Sequence, residues 1–221
     1  MTPSRRICWK TTKMPDPLAT SAVILAGGLA RRMGGGDKAL REIGGRSLLG
    51  RVIDRLTPQC ERLVLNANGD PARFAAYGLP IVSDPVADFP GPLAGVLAGL
   101  DWLEAHHPQT EWMLSAPADC PFLPNDLVAR LHQARIDQQA QIAVAASADR
   151  THPVIALWPL DMRADLRRAL LADDVRKVDR FTACYARAVV DWPTDPFDPF
   201  LNVNAPEDST AAERIAARYG A

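Results

Sequence analysis

The chain has 221 residues, of which 48% are hydrophobic and 23% are charged, an ordinary globular composition with enough length to bury a sizeable core. Its formal net charge of −1 argues against a broad surface for nucleic acid or anionic membrane, but allows a local basic site. The 4 cysteines are far apart and form no C-x-x-C pair or Cys/His cluster, which disfavours a zinc site and indicates free thiols in a reducing cytoplasm.

The first twenty residues carry several basic side chains but lack the apolar segment that a signal peptide requires. No apolar run in the chain is long enough to span a bilayer. We expect residues 1–20 to be a disordered extension, or an over-extended start with the true start at Met14, and residues 21–221 to form one domain.

Strands and helices alternate along the rest of the chain. In chain order, the predicted elements are a buried strand at 23–25, a helix at 47–56, a strand at 63–65, a short helix at 71–77, a strand at 81–82, a helix at 92–105, a strand at 112–114, a helix from the cap Asn125 to Arg135, strands at 142–146 and 154–158, helices at 162–171 and 175–182, a strand at 188–190 and a helix at 207–218. This alternation of short apolar strands with helices predicts an α/β fold with a mostly parallel sheet covered on both faces. Ligands bind beyond the carboxyl ends of the strands in such sheets, so the residues after each strand are candidates for a site.

The loop after the first strand combines two glycine clusters with Arg31, Arg32 and Lys38. Glycines allow backbone N–H groups to approach a ligand, and successive N–H groups form a concave anion site. The adjacent positive charges suit a polyphosphate. The loop has neither a Walker A motif nor G-x-G-x-x-G, which argues against a P-loop or dinucleotide-binding domain. A surface loop with solvated charges is the alternative, but the position directly after a core strand favours a phosphate cradle that its ligand orders.

Polar residues follow the other strands as well. They are Asn66, Asn68, Asp84 and Asp119, and the late segment FLNVNAPED supplies Asn202 and Asn204, so that all of these groups are expected to converge on one edge of the sheet. A carboxylate such as Asp119 at a strand end, near a polyphosphate, suits Mg²⁺, although a residue that only caps its turn fits the pattern as well. Asn202 and Asn204 alternate, so both would project to one side of an extended segment. The asparagines are also compatible with simple hydrogen bonding at strand ends.

Four further positions have a structural and a functional interpretation. Small residues such as Gly91 and Gly95 around a helix start either permit close helix packing or let a substrate approach. Cys120 is expected to be a small buried residue rather than a nucleophile. A lone His152 is more often structural than catalytic.

The order of these segments resembles that of molybdenum cofactor guanylyltransferases. The matching segments are LAGG, LARRMGG and GDKAL in the first loop, followed by LVLNAN, SDPVADFPGPLAG, APADCPFLP, THPVIAL and FLNVNAPED. The loop pattern is shared with sugar-nucleotide pyrophosphorylases and indicates only the superfamily, whereas DFPGPLAG and NVNAPED make the narrower resemblance specific. The resemblance extends over residues 21–218 and implies a three-layer, Rossmann-like nucleotide-diphospho-sugar transferase fold.

The resemblance also implies an activity, namely Mg²⁺-dependent transfer of GMP from GTP to molybdenum-bound molybdopterin with release of pyrophosphate. LAGG rather than LAAG is similar to the branch that uses guanine. The implied partners are GTP, molybdopterin and, transiently, proteins that supply the cofactor or mature molybdoenzymes, with no nucleic acid and no membrane. The implied nucleotide-binding residues are Leu25, Ala26, Gly27, Gly28, Gly35, Lys38, Asn66, Asp84 and Asp119. The implied catalytic residues are Arg32, Lys38 and Asp119, with Asp119 as the Mg²⁺ ligand, and Gly91, Gly95, Asn202 and Asn204 fall on the substrate side.

The chain departs from this family pattern at Asp173 and Asp174, where relatives usually carry a glycine. Arg176 and Lys177, just beyond, could meet the molybdopterin phosphate or form a solvated helix face. The enzymatic alternatives are transfer of CMP to molybdopterin and transfer of a nucleotide to a sugar phosphate. The alternative of another class is a non-catalytic carrier of GTP or of the finished cofactor, which would not need Lys38 as a stabiliser of the leaving group.

Overall fold

The structure is a computed structural model that describes residues 19–27, 37–86 and 91–219. Its strands are β1 (Thr20–Leu25), β2 (Glu42–Ile43), β3 (Arg46–Ser47), β4 (Arg62–Asn66), β5 (Ile81–Val82), β6 (Trp112–Pro117), β7 (Ile142–Ser147), β8 (Arg150–Pro159) and β9 (Arg187–Trp192). Its α-helices are α1 (Leu48–Leu56), α2 (Pro92–His106), α3 (Leu127–Asp137), α4 (Arg163–Leu171), α5 (Val178–Thr182) and α6 (Pro206–Tyr219), and 3-10 helices span Lys38–Leu40, Pro71–Tyr77 and Leu160–Met162. No described helix is both long and apolar enough to cross a membrane.

The central sheet has 7 strands in the order β5-β4-β1-β6-β8-β7-β9, while β2 and β3 form a separate hairpin. Neighbouring strands of the sheet run parallel except at β8, which is antiparallel to β6 and β7. The predicted mostly parallel sheet is therefore confirmed. The chain builds outward from β1 through β4 to β5 and then returns to the other side of β1 at β6. This reversal of strand order opens a crevice at the carboxyl ends of β1 and β6, the place where open α/β sheets bind ligands.

Two apolar layers sandwich the sheet, because successive side chains of a strand point to opposite faces. Ile24 of β1 packs into the layer that contains Leu49 of α1 and Leu127 of α3. The adjacent Val23 packs into the opposite layer with Leu97 of α2 and Leu166 of α4. All six side chains are completely buried. Helices thus cover both faces, as the sequence predicted.

The structure corrects several predicted boundaries. β1 begins at Thr20, which was assigned to the extension but is only 1% exposed. Residues 1–18 of that predicted extension lie outside the described residues. The predicted cap Asn125 was wrong, because Asp126 is the residue that precedes α3 and Asn125 Oδ1 instead accepts a hydrogen bond from Arg55 Nη1 at 3.0 Å. The helix predicted from residue 175 begins only at Val178, and ahead of it the chain turns at Asp174 with a φ of 49°.

Candidate functional site

Backbone hydrogen bonds hold the strand ends together at the crevice. The N–H of Ala26 donates to the carbonyl oxygen of Asn66 at 2.8 Å, and the N–H of Ala118 donates to that of Leu25 at 3.0 Å. These bonds extend the strand pairing beyond β1 and fix the turns after β1, β4 and β6 side by side. Gly27 stands at the same edge, where a Cβ atom would lie 3.9 Å from Asn66 Oδ1. The predicted nucleotide-binding backbone from Leu25 to Gly27 therefore lines the crevice.

Lys38 lies at the centre of a polar cluster drawn from three parts of the chain. Its Nζ contacts Asp119 Oδ2 and Asn204 Oδ1, and donates to Asn202 Oδ1 at 3.1 Å. The side chains of Lys38 and Asp119 are only 12% and 20% exposed, so water screens this ion pair incompletely. The prediction that Asn202 and Asn204 project to one side is confirmed by their shared contact with one ammonium group.

The donor set around Asp119 fits a hard cation. Its Oδ1 is buried and has no hydrogen-bond partner among the described residues, whereas Oδ2 is paired with Lys38. A buried carboxylate oxygen without a partner is rare enough to require an explanation, and a cation bound there is one. Mg²⁺ commonly binds through one or two carboxylates and completes its shell with substrate phosphates and water. The described residues contain no cluster of three or more His, Cys, Asp and Glu side chains, so a metal at Asp119 would draw on the substrate for ligands.

Asp84 is held in place by two asparagines. Asn66 Nδ2 donates to Asp84 Oδ1 at 2.9 Å, and Asn68 Nδ2 donates to Asp84 Oδ2 at 2.7 Å. The N–H of Asp84 donates in return to Asn68 Oδ1 at 2.9 Å. Asn66 is buried and also donates to the carbonyl oxygen of Val82 at 3.2 Å. The carboxylate is thus fixed by neutral donors, and its remaining lone pairs can accept hydrogen bonds from a ligand.

Gly95 permits the close approach of α2 to this asparagine. A Cβ atom on Gly95 would come within 2.2 Å of Asn66 Oδ1 and 2.7 Å of Leu25 Cδ2. Gly91, just before α2, faces the loop ahead of α5, where a Cβ atom would lie 3.4 Å from the carbonyl oxygen of Arg176. The structure thus brings Gly95 against the nucleotide-side residues and places Gly91 at the border of the loop that departs from the family pattern.

A partly buried chain of hydrogen bonds supports the segment ahead of α6. Ser147 Oγ donates to Asp198 Oδ1 at 2.9 Å and lies 2.8 Å from His152 Nε2. Since the hydroxyl proton points to Asp198, the ring nitrogen is the donor to Ser147. Asp198 Oδ1 also accepts the N–H of Phe200 at 2.9 Å, and burial lowers the pKa of His152. Sequence reasoning missed Ser147 and Asp198, because nothing local links two residues 51 positions apart.

Cys120 is a buried thiol, 2% exposed, whose Sγ lies 3.7 Å from the carbonyl oxygen of Phe200. Burial raises the pKa of this thiol well above its ordinary value, which keeps it protonated and unreactive at neutral pH. The prediction of a buried cysteine is confirmed. Gly28, Arg31, Arg32 and Gly35 lie outside the described residues, so their predicted roles stay predictions.

The model of the MobA-like NTP transferase domain matches residues 22–188. The molybdenum cofactor guanylyltransferase of Rhodopseudomonas palustris (strain BisB5) is 76% identical over 205 residues, which are 93% of this chain and 98% of that protein. The protein of the same name from Nitrobacter hamburgensis is 62% identical over 201 residues, 91% of this chain and 96% of that protein.

Two solved structures share the fold. Molybdopterin-guanine dinucleotide biosynthesis protein A from Archaeoglobus fulgidus superposes with a TM-score of 0.69 at 23% identity, over 90% of this chain and 99% of that chain. The 4-diphosphocytidyl-2C-methyl-D-erythritol synthase from Anaerococcus prevotii gives a TM-score of 0.68 at 17% identity, over 93% of this chain and 99% of that chain. At these identities the likeness establishes the architecture alone. The family model and the close relatives go further, and with the ordered strand-end motifs they establish that this chain belongs to the molybdenum cofactor guanylyltransferases.

Proposed function

We propose that this chain transfers GMP from GTP to molybdenum-bound molybdopterin, forming molybdopterin guanine dinucleotide and pyrophosphate. The observation that carries the proposal is the cluster of Lys38, Asp119, Asn202 and Asn204 at the crevice of a chain in this family. The cluster combines a fixed positive charge with oxygen donors. Nucleotidyl transfer depends on such positioning and charge neutralisation more than on a strong acid or base.

In the proposed reaction, a phosphate oxygen of molybdopterin attacks the α-phosphorus of GTP. A new P–O bond forms, the bond from the α-phosphorus to the oxygen bridging the α- and β-phosphates breaks, and the electron pair leaves with pyrophosphate. The attacking phosphate is largely ionised near neutral pH, so the reaction needs no strong general base. Lys38 places its positive charge beside the triphosphate and stabilises the charge that develops on the leaving group. We assign the same task to Arg32.

We propose Mg²⁺ as the cofactor, held by Asp119 through the carboxylate oxygen that has no protein partner among the described residues. When bound, the ion supplies positive charge to the phosphate oxygens of the nucleotide. Asn204 would help to orient the ion or its waters, and Asn202 keeps Lys38 directed into the crevice. Asp119 thus presents its other oxygen to Lys38, which holds the ammonium beside the metal position.

On the nucleoside side, Asp84 and Asn66 contact the guanosine, and the backbone from Leu25 to Gly27 meets the base. The hydrogen bonds from Asn66 and Asn68 fix the orientation of the Asp84 carboxylate before the nucleotide arrives. This preorganisation favours binding, because little rotamer entropy is lost when the ligand docks. Gly28 and Gly35 are proposed to present their N–H groups to the phosphates. Gly91 and Gly95 are proposed to line the side facing molybdopterin, with Gly95 also supporting Asn66.

The test is pyrophosphate release by the purified protein from GTP, CTP, ATP or UTP in the presence of molybdenum-bound molybdopterin. We expect release with GTP in the presence of Mg²⁺ and its loss with a chelator. Release with CTP instead would identify a cytidylyltransferase, and release that needs a sugar phosphate would identify a sugar nucleotidyltransferase. Stoichiometric GTP binding without pyrophosphate release would identify a carrier.

The free thiols of Cys60, Cys120 and Cys184 favour a cytoplasmic location, where proteins that supply molybdopterin or receive the product would act.

A further inference from the structure

One arginine outside the predicted site connects two parts of it. Arg73 lies on the 3-10 helix Pro71–Tyr77, and its Nη1 is 3.1 Å from Asp37 Oδ1. Its Nη2 donates to the carbonyl oxygen of Asn68, and its Cζ lies 4.9 Å from the ring centroid of Phe74. The guanidinium group therefore holds two acceptors that belong to separate segments while it rests on an aromatic face.

Each of the two acceptors leads directly to a site residue. Asp37 is the residue before Lys38, and its carbonyl oxygen accepts the N–H of Leu40 at 3.1 Å, which closes the turn that presents Lys38. Asn68 holds the carboxylate and the N–H of Asp84 through its side chain. A displacement of Asp37 relative to Asn68 would therefore change the distance between the Lys38 ammonium group and the Asp84 carboxylate.

We propose that Arg73 is a positioning residue for nucleotidyl transfer, which fixes the Lys38 turn relative to the Asp84 carboxylate. This inference rests on the proposed function for its kinetic consequences. An arginine suits the task because its planar fork satisfies both acceptors at once, whereas a lysine ammonium is a single point charge on a flexible stem. The side chains of Arg73 and Asp37 are 31% and 20% exposed, and ion pairs with such access to water contribute little to global stability. Loss of the pair should therefore affect the site more than the fold.

The kinetic test compares Arg73→Ala and Arg73→Lys with the parent protein. We expect Arg73→Ala to raise KM for GTP, because Asp84 is less well held, and to lower kcat, because Lys38 is displaced, with kcat/KM falling about 10- to 100-fold. Arg73→Lys should recover only part of the loss. Arg73→Ala and Asp37→Asn should be non-additive in kcat/KM, since each removes the same ion pair. The control is Arg46→Ala, which removes an exposed ion pair with Asp54 on α1 and should leave both kinetic constants unchanged.

Hydrogen exchange supplies a readout that does not require turnover. The amides of Leu40 and Arg41 donate within the Lys38 turn, and they should exchange faster in Arg73→Ala than in the parent or in Arg46→Ala. If the parent transfers no GMP, the proposed function fails, but the exchange experiment still tests whether Arg73 holds the Lys38 turn in place. Parental kinetics and parental exchange in Arg73→Ala would overturn the inference. A lower kcat with unchanged KM, unchanged exchange and a reduced Tm would also overturn it, because that pattern indicates a smaller folded fraction. If Arg73→Ala does not fold, Arg73→Gln retains most of the stem, and the same criteria apply.

Discussion

The substitution Gly95→Ala tests whether α2 supports Asn66 in the site, separately from its contribution to the stability of the fold. The new Cβ atom would lie 2.2 Å from Asn66 Oδ1, although real Cβ atoms essentially never come closer than 3.0 Å to such neighbours. Asn66 would have to retreat by about 0.8 Å in a close-packed interior. The same amide donates to Asp84 at 2.9 Å and to the carbonyl oxygen of Val82 at 3.2 Å, and a retreat of that size is enough to break either bond.

The expected magnitudes follow from this geometry. Overpacking a buried contact costs about 1–3 kcal/mol of unfolding free energy. In a chain of this length that lowers Tm by roughly 2–4 °C per kcal/mol. A misplacement approaching 1 Å in a positioning group can cost about 100-fold in rate, so we expect a fall of that order in kcat/KM for GTP.

Gly99→Ala is the matched control, one helical turn further along α2. A Cβ atom on Gly99 would meet Val23 Cβ at 2.7 Å and Met113 Sδ at 2.8 Å, which are apolar core atoms and not part of the site. Denaturant unfolding and pyrophosphate release should be measured for both variants under the same conditions. Gly99→Ala should lose stability but keep the kcat/KM of its folded fraction. Equal activity in the two variants, after correction for the folded fraction, would refute the reasoning.

Four further predictions concern single residues. Lys38→Ala should lower the single-turnover rate constant of transfer by about 10²- to 10³-fold, because a charge that meets the transition state is lost. A parental kcat/KM would argue against that role. Asp119→Asn should raise the Mg²⁺ concentration at half-maximal activity, whereas an unchanged titration would remove it as a ligand. Ser147→Ala should cost about 1–3 kcal/mol in urea unfolding, because it removes the partner of His152 Nε2 and leaves Asp198 Oδ1 with only the N–H of Phe200, and a neutral effect would contradict that account. Burial lowers the pKa of His132 from 6.5 to about 4, so the unfolded chain binds a proton at this imidazole more tightly than the folded chain does. The free energy of unfolding should therefore fall by about 2–3 kcal/mol as pH falls from 6.5 to 4. His132→Gln should flatten that part of the stability profile, and an unchanged slope would exclude this histidine as its cause.

Local signals in the sequence determined most of the secondary structure. The short helix at 71–77 was predicted with its observed bounds, since Pro71 occupies its first position, Asp70 caps it and Gly78 ends it with a φ of 64°. The strand Ile81–Val82 also has its predicted bounds. These signals act over a few residues, so the sequence contains all the information that they need. Strand ends that gather at one sheet edge likewise account for the prediction that Lys38, Asp119, Asn202 and Asn204 share a region.

The tertiary structure decided which of these residues touch and what supports them. Lys38 and Asn202 meet across 164 positions, and Ser147 and Asp198 across 51. Asn125 was predicted as a helix cap because of its type, but contact with Arg55 across 70 positions determines its role. Arg73 had no distinguishing pattern in the sequence at all, and only packing brings it to Asp37 and Asn68. Residue type and spacing encode local conformation and the succession of strands and helices along the chain. Distances between side chains far apart in the chain depend on how the packed layers meet, and no local pattern specifies that.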